Sequence, residues 1–250
     1  MSGHSKWSTI KRQKQAEDLK KGRIFSKLAR QIRVAAASGT DPQTNPKLRL
    51  LLQKAKEVNM PKKNIENALK KGKEKERLEE ILFEGYGPGG VAIMVQTATD
   101  NKNRTSAAIK KILERGGGRL GERGCVSYLF EPKGLIVLKP QGEAAEDLML
   151  RVIDFGVLDV ERAGEMVLVY TKPEELEATR KKLEEEGIEV ESSELNLEPK
   201  TTVEVNDPKK AEQILSLVDK LEELDETLKV YASFNIPESV LEKLGGGKVG

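Results

Sequence analysis

Residues 134–198 decide the fold, and they read GLIVLKPQGEAAEDLMLRVIDFGVLDVERAGEMVLVYTKPEELEATRKKLEEEGIEVESSELNLE. Apolar and β-branched runs alternate there with stretches of helical spacing. The pattern predicts strands over 134–139, 157–162, 165–171 and 188–197, and helices over 143–155 and 173–186. The resulting order, β-α-β-β-α-β, is typical of ferredoxin-like domains. We therefore predict one such domain over residues 133–198.

The segments on either side of this stretch complete a second domain. A strand, a helix and a strand are predicted over 91–131, and the same order recurs over 201–234. Joined across the interruption, the two pieces again give β-α-β-β-α-β. The sequence thus predicts an α+β protein with two ferredoxin-like α/β domains, residues 133–198 being inserted into a domain made of 79–132 and 199–250. One larger mixed sheet with helices on one face is the alternative.

The N-terminal part, residues 1–78, is predicted to be helical. Apolar residues from Ile24 to Ala35 recur at helical spacing, and Asn45-Pro46 and Met60-Pro61 each begin a further amphipathic segment. Three short helices of this kind can bury their apolar faces on one another in a small domain. Residues 1–15 have no apolar stripe, so we expect them to form a flexible basic arm.

Charge is divided unevenly along the chain, although its total is only +2. Residues 1–75 contain 20 Lys and Arg against 6 Asp and Glu, whereas residues 76–250 contain 23 against 35. The N-terminal part is therefore +14 and the remainder −12. Such asymmetry indicates a segment that binds a polyanion. A charge-rich surface of the thermophile type is the alternative, but it does not explain the separation of signs.

The predicted contacts to nucleic acid are the cations of this segment and one aromatic residue that could stack on a base. They are Lys6, Trp7, Lys11, Arg12, Lys14, Lys20, Arg23, Lys27, Arg30, Lys62, Lys63, Lys70 and Lys71. Among them, Lys20, Arg23, Lys27 and Arg30 recur on one face of the longest predicted helix, opposite its apolar face.

Two glycine-rich segments lie outside the basic part. EGYGPGG (84–90) precedes a strand, so we interpret it as a tight connection rather than a phosphate-binding loop. RGGGRLGERG (115–124) contains a GxxG, but a KH loop joins two helices and this one precedes a strand. A mobile loop that offers secondary phosphate contacts is the remaining functional interpretation, through Arg115, Arg119 and Arg123.

The sequence gives little support to catalysis. One cysteine, Cys125, and one histidine, His4, exclude a disulfide framework and a cysteine- or histidine-rich metal site. No P-loop is present, and the glutamates of 174–198 are read as a solvated face. We predict no enzyme activity, catalytic residue, metal, cofactor or small-molecule substrate. No apolar run approaches 18 residues, so we expect a cytoplasmic protein without a membrane span.

Several long motifs resemble those of the YebC/PmpR family, which includes the mitochondrial translational activator of cytochrome c oxidase. They are GHSKW (3–7), KGRIFSKL (21–28), NPKLR (45–49), NMPKKNIENALKKG (59–72), EGYGPGG (84–90), TDNKNRT (99–105) and GGRLGERGCVSYLF (117–130). The resemblance covers essentially the whole chain and implies a helical N-terminal domain followed by two α/β domains. Cys125 stands where serine is expected in most relatives, and the resemblance supplies no catalytic residue.

Two functions remain open from the sequence. The resemblance implies a probable DNA-binding transcriptional regulator. The alternative is a ribosome-associated translation factor that contacts ribosomal RNA, because other members of the family assist elongation through difficult sequences such as proline runs. The chain shows no obvious base-reading recognition helix, which favours backbone recognition of RNA or of DNA with low specificity. A scaffold that binds only proteins is the third possibility, and the +14 segment argues against it.

Overall fold

The computed structural model describes residues 3–14, 17–73 and 78–245. Its helices are α1 (Gly3–Lys14), α2 (Glu17–Ala37), α3 (Pro46–Glu57), α4 (Lys62–Lys73), α5 (Lys102–Arg115), α6 (Ala145–Ile153), α7 (Leu176–Glu185), α8 (Pro208–Glu222) and α9 (Glu238–Gly245). Its strands are β1 (Glu79–Tyr86), β2 (Ala92–Thr99), β3 (Arg119–Leu120), β4 (Phe130–Leu138), β5 (Asp159–Ala163), β6 (Met166–Thr171), β7 (Val190–Pro199), β8 (Val203–Glu204), β9 (Thr227–Ala232) and β10 (Phe234–Asn235). The predicted α+β class, helices followed by sheets, is confirmed.

The chain forms two compact units. The first, here called the basic unit, consists of the described parts of Ala16–Ser127, Asn206–Val230 and Glu238–Gly250. The second, called the insert unit, consists of the described parts of Met1–Gln15, Tyr128–Val205 and Tyr231–Pro237. The predicted nesting is visible in this division, because the insert unit interrupts the basic unit along the chain.

Helices α2, α3 and α4 pack as a three-helix bundle within the basic unit. Leu28, Ile32 and Leu48 are buried at its centre. Ile24 was expected in the same core but is 40% exposed. At about 100° per residue Ile24 lies at the edge of the stripe that Leu28 and Ile32 define, so it faces solvent instead.

Two asparagines set the turns of the bundle. The Asn45 side chain accepts a hydrogen bond from the Leu48 N–H (3.0 Å) and donates to the carbonyls of Ala35 and Gly39 (both 2.8 Å). It therefore caps α3 and ties that cap to the end of α2. Asn59 has a φ of +56°, and this left-handed residue turns the chain from α3 into α4.

The first sheet lies in the basic unit and has the strand order β3-β1-β2-β9. Its central strand β1 was not predicted, because exposed Glu79 and Glu80 begin it and the glycines of 84–90 follow. β1 pairs antiparallel with both β2 and β3. Residues 201–205 were expected to supply a strand of this domain. Those residues instead supply β8, which pairs in parallel with β10 in the insert unit.

The second sheet carries the predicted ferredoxin-like order. Its strands are arranged β5-β6-β4-β7, and each neighbouring pair is antiparallel. Nearly all of the predicted strand 134–139 and the last two residues of the predicted strand 126–131 belong to one strand, β4. The rest of 126–131 is not a strand, because Ser127–Leu129 form a 3-10 turn. Helices α6 and α7 cover one face of this sheet, where Ile136, Leu148 and Leu183 are buried.

The other face of the second sheet is covered by α1. Leu135, Val137 and Tyr170 are buried on this face, and Ile10 of α1 packs against them. The expected flexible arm is therefore wrong for Gly3–Lys14, which form a helix. The predicted domain 1–78 joins this helix to α2–α4. The structure instead groups it with the insert unit.

Candidate nucleic-acid interface

Helix α4 presents the most exposed group of predicted contacts. Its sequence is KKNIENALKKGK, and its apolar residues Ile65, Ala68 and Leu69 face the core of the bundle. Four lysines of α4 are exposed: Lys62, Lys63, Lys70 and Lys71. The side chain of Lys62 is 91% exposed, and its ammonium lies 3.9 Å from the Glu66 carboxylate. An ion pair this long and exposed contributes little to stability, so the charge of Lys62 remains available to a ligand.

Helix α3 of the same bundle also carries exposed cations. Arg49 and Lys56 are exposed, and Lys47 forms a salt bridge to Glu80 at 2.7 Å. Residues 46–73 together contain nine Lys and Arg and two Glu, a net charge of +7. We use the name α3–α4 surface for six exposed cations of these two helices, leaving out the paired Lys47; they are Arg49, Lys56, Lys62, Lys63, Lys70 and Lys71. A surface of this sign suits the phosphate groups of a polyanion.

The basic stripe of α2 is less uniform than expected. Lys20 and Arg23 belong to the helix, but their side chains lie outside the described part of the structure. Lys27 and Arg30 are half-buried, and Arg30 donates from Nη1 to the carbonyl of Ala98 at 2.9 Å. This bond joins α2 to the end of β2, so Arg30 has a packing role that the sequence did not reveal.

Part of the arginine loop, residues 115–124, forms strand β3 and pairs with β1. Arg115, Arg119 and Arg123 are exposed, as predicted. Arg119 pairs through its backbone with Tyr86, and its guanidinium carbon lies 5.3 Å from the centroid of the Tyr86 ring. Such a distance allows a cation–π contact, which restricts the Arg119 side chain while leaving it open to solvent.

The glycine-rich segment 84–90 packs closely against this loop. A Cβ at Gly118 would lie 2.3 Å from the carbonyl oxygen of Tyr86, and one at Gly85 would lie 2.5 Å from that of Arg119. Two backbones can approach this closely only where side chains are absent. The interpretation of 84–90 as a structural connection agrees with these contacts, although its first residues belong to strand β1.

The motif GHSKW docks α1 on the insert unit. A Cβ at Gly3 would lie 2.8 Å from the Phe234 carbonyl oxygen, and the His4 ring meets the Phe234 ring edge-on at 6.1 Å between centroids. Ser5 donates from Oγ to Glu198 Oε1 at 2.6 Å, and both residues are buried. The motif is thus explained by packing of the helix on the sheet.

The remaining α1 contacts are half-buried or outside the description. Lys6 and Trp7 are half-buried, and the indole nitrogen of Trp7 is buried without a hydrogen-bond partner in the described structure. Lys11, Arg12 and Lys14 belong to α1, but their side chains are not among those described. Base stacking by Trp7 stays a prediction.

A buried polar cluster beside α1 escaped the sequence analysis. Asn196 donates from Nδ2 to Ser5 Oγ at 3.0 Å and also bonds Glu198, while Tyr170 donates its hydroxyl to Glu161 at 3.2 Å. Burial, followed by the nearby Glu198 and Glu161 carboxylates, raises the pKa of Tyr170. Burial likewise raises the pKa of Glu161. Alternation of Asn196 and Glu198 on one face of β7 is the one sequence signal that could have pointed to this cluster.

Other kinds of site find no support among the described residues. Within 3–14, 17–73 and 78–245, no three His, Cys, Asp or Glu side chains come together as ligands for a metal ion. None of the helices in these ranges is both long and apolar enough to cross a membrane.

Comparison with known proteins covers both parts of the chain. A family model described as the TACO1/YebC protein N-terminal domain matches residues 5–75, and one described as the TACO1/YebC second and third domain matches residues 78–234. Each model thus matches one of the two segments that differ in charge.

Curated relatives are similar over nearly the full length. Proteins named probable transcriptional regulatory protein from Aquifex aeolicus (strain VF5) and Rubrobacter xylanophilus are 44% and 47% identical, over 98% of this chain and 100% of theirs. One from Geobacillus kaustophilus is 49% identical over 97% of this chain and 100% of its own. The crystal structure of a conserved hypothetical protein from Aquifex aeolicus matches with a TM-score of 0.80 at 44% identity, over 88% of this chain and 93% of that one. The resemblance seen in the sequence motifs is confirmed, and the chain belongs to the TACO1/YebC family.

Proposed function

We propose that the chain is a non-enzymatic, cytoplasmic regulator of transcription that binds nucleic acid through the α3–α4 surface. The relatives named probable transcriptional regulatory proteins support the regulatory role. The single observation that carries nucleic-acid binding is the group of four exposed lysines on α4, with Glu66 as the one carboxylate of that helix.

The chemistry of this surface favours the backbone of the nucleic acid over its bases. Lysine ammonium groups act as mobile point charges that neutralise phosphates, and such contacts carry no direct sequence information. Each phosphate neutralised on duplex DNA releases condensed counterions, so affinity falls steeply with salt. Binding at this surface is therefore strongly salt-dependent and weakly sequence-dependent.

The test compares two quadruple variants that remove the same charge. K62Q/K63Q/K70Q/K71Q removes four exposed lysines from α4, and K110Q/K111Q/K181Q/K182Q removes four exposed lysines from α5 and α7. Glutamine is also a good helix former, so folding is preserved in both. Affinity for a fluorescent 20-base-pair duplex of arbitrary sequence is measured by anisotropy between about 50 and 200 mM salt.

The α4 variant is expected to bind at least about tenfold more weakly than the unmodified protein. The slope of log K against log salt should also become shallower by roughly 3 to 4, or about 0.9 for each lost phosphate contact. The α5/α7 variant should bind within about twofold of the unmodified protein. Equal losses in both variants would mean that net charge, rather than the α4 face, governs binding.

The same proteins identify the natural polyanion when they are also sedimented with ribosomes at low and high salt. A protein that pellets with ribosomes through α4 but binds duplex DNA hardly at all would redirect the proposal from transcription to translation. Preferential duplex binding supports the proposal as stated.

A further inference from the structure

A buried carboxylate, that of Glu84 in β1, lies beneath the arginine loop. Glu84 is only 4% exposed. Its carboxylate accepts hydrogen bonds from the backbone N–H groups of Gly124 (2.7 Å), Val126 (2.8 Å) and Ser127 (2.8 Å). Three N–H groups, one from the last residue of the loop and two from residues just after it, therefore converge on one buried carboxylate.

Neighbouring atoms of β1 hold other points of the loop. The main-chain carbonyl of Glu84 accepts from the Gly121 N–H at 2.8 Å, and the Tyr86 hydroxyl donates to the Cys125 carbonyl at 2.9 Å. Arg119 rests on the face of the Tyr86 ring. Strand β1 thus acts as a template along the loop, with Glu84 making the greatest number of these bonds.

We propose that Glu84 is a positioning residue for nucleic-acid binding, which holds the loop so that Arg119 and Arg123 face a phosphate backbone in one fixed arrangement. This inference rests on the proposed function. A loop that is already ordered loses little conformational freedom when it binds, and its guanidinium groups can be aligned with phosphates in advance.

The arrangement also decides which atoms of the loop meet the ligand. Backbone N–H groups that converge in a glycine-rich loop form a common anion-binding concavity. Here the N–H groups of Gly124, Val126 and Ser127 are already occupied by the Glu84 carboxylate. These three N–H groups are therefore not available to a phosphate, and the exposed arginine side chains are the groups of this loop that we expect to contact it.

The test is a double-mutant cycle in the full-length chain. Its members are E84Q, R119Q/R123Q and the combined triple variant, and E80Q serves as the control. Glu80 lies on the same strand, and E80Q removes the same charge as E84Q. Glu80 differs from Glu84 because it is exposed and pairs with Lys47. Affinity is measured with the fluorescent duplex, and hydrogen exchange is followed at the amides of Gly124, Val126 and Ser127.

R119Q/R123Q is expected to weaken binding about tenfold when Glu84 is present, since two phosphate contacts disappear. E84Q alone should weaken binding about fivefold and speed exchange at the three amides at least tenfold, because glutamine has one acceptor oxygen in place of two. In the E84Q background, the arginine changes should cost less than a further twofold. E80Q should match the unmodified protein in both measurements.

Equal costs of R119Q/R123Q in the two backgrounds, or unchanged exchange in E84Q, would overturn the inference. If R119Q/R123Q binds normally while the α4 variant binds poorly, the inference fails and the proposed function stands. If both bind normally, the proposed function itself fails. Should E84Q not fold by circular dichroism, E84D replaces it in the cycle, because aspartate keeps the charge and withdraws the carboxylate by one methylene.

Discussion

Two glycines with the same local sequence should respond in opposite ways to alanine. Gly22 in α2 and Gly72 in α4 both follow a Lys-Lys pair and both lie within a helix. Alanine favours a helix interior by about 0.5–1 kcal/mol over glycine. A Cβ at Gly22 meets nothing within 4 Å, so Gly22→Ala should raise the free energy of unfolding by about that amount.

Gly72 lies against α2, and a Cβ there has no room. It would lie 2.7 Å from the Ala36 Cβ and 2.8 Å from the Arg33 carbonyl oxygen, so α4 must move away from α2. Overpacking of this kind costs about 1–3 kcal/mol, which exceeds the gain in helix propensity. We expect Gly72→Ala to lower the free energy of unfolding by about 1 kcal/mol after that offset.

Urea titration followed by far-ultraviolet circular dichroism measures both effects. The two variants should differ by about 2 kcal/mol, which separates their midpoints by roughly 1 M when the denaturant slope is near 2 kcal/mol/M. Because the flanking lysine pairs are the same, local charge does not account for the difference. A Gly72→Ala midpoint at or above that of the unmodified protein would refute the close packing of α2 on α4.

Three further outcomes are expected from substitutions of single polar side chains. Asn45→Ala should lower the free energy of unfolding by about 2 kcal/mol in urea titration, because a helix cap and two hydrogen bonds to carbonyls are lost. Asn45→Asp should lower it by about half as much, because aspartate keeps the cap. Ser5→Ala removes the donor to Glu198 and should cost about 1–3 kcal/mol in thermal melts, whereas Ser8→Ala, whose hydroxyl bonds only within α1, should cost under about 0.5 kcal/mol. Burial raises the pKa of Glu84, but the loop N–H donors outweigh it and bring that pKa below 4.5. The stability that this lowered pKa contributes is present above the pKa of the unfolded chain and is lost as the pH falls through the pKa of the folded state. The destabilisation by Glu84→Gln should therefore be largest at pH 7 and should shrink when the same titration is repeated at successively lower pH.

Local patterns were sufficient for the elements of the second sheet. Its strands and helices alternate cleanly between periods of 2 and 3.6, and the predicted limits 133–198 lie close to Phe130 and Pro199, which bound the observed sheet. The first sheet was harder because its strand β1 begins with two exposed glutamates and comes before the other strands. Residues 201–205 were assigned to this sheet because a repeated β-α-β pattern gives the order of elements along the chain and does not show which strands pair.

One part of the candidate interface could likewise be predicted from the sequence, and another part could not. Exposure of the α4 lysines follows from the helical position of Ile65 and Leu69, so the sequence could predict it. The bond of Arg30 to the Ala98 carbonyl joins residues 68 positions apart, and nothing in the spacing of α2 indicates that a strand ends beside it. Helix α1 was missed for a related reason, since its docking uses Ser5 and a close approach at Gly3 more than an apolar stripe.

The docking of α1 also sets the order in which the insert unit can be completed during synthesis. Ser5 precedes its partner Glu198 by 193 positions. At roughly 5–20 residues per second, a ribosome needs on the order of 10–40 s to make the intervening chain. Ile10 of α1 packs on Leu135, Val137 and Tyr170, so α1 has no face to cover until β4 and β6 have been made. The bond from Ser5 to Glu198 can form only later, and a nascent chain shortened before Glu198 would lack it.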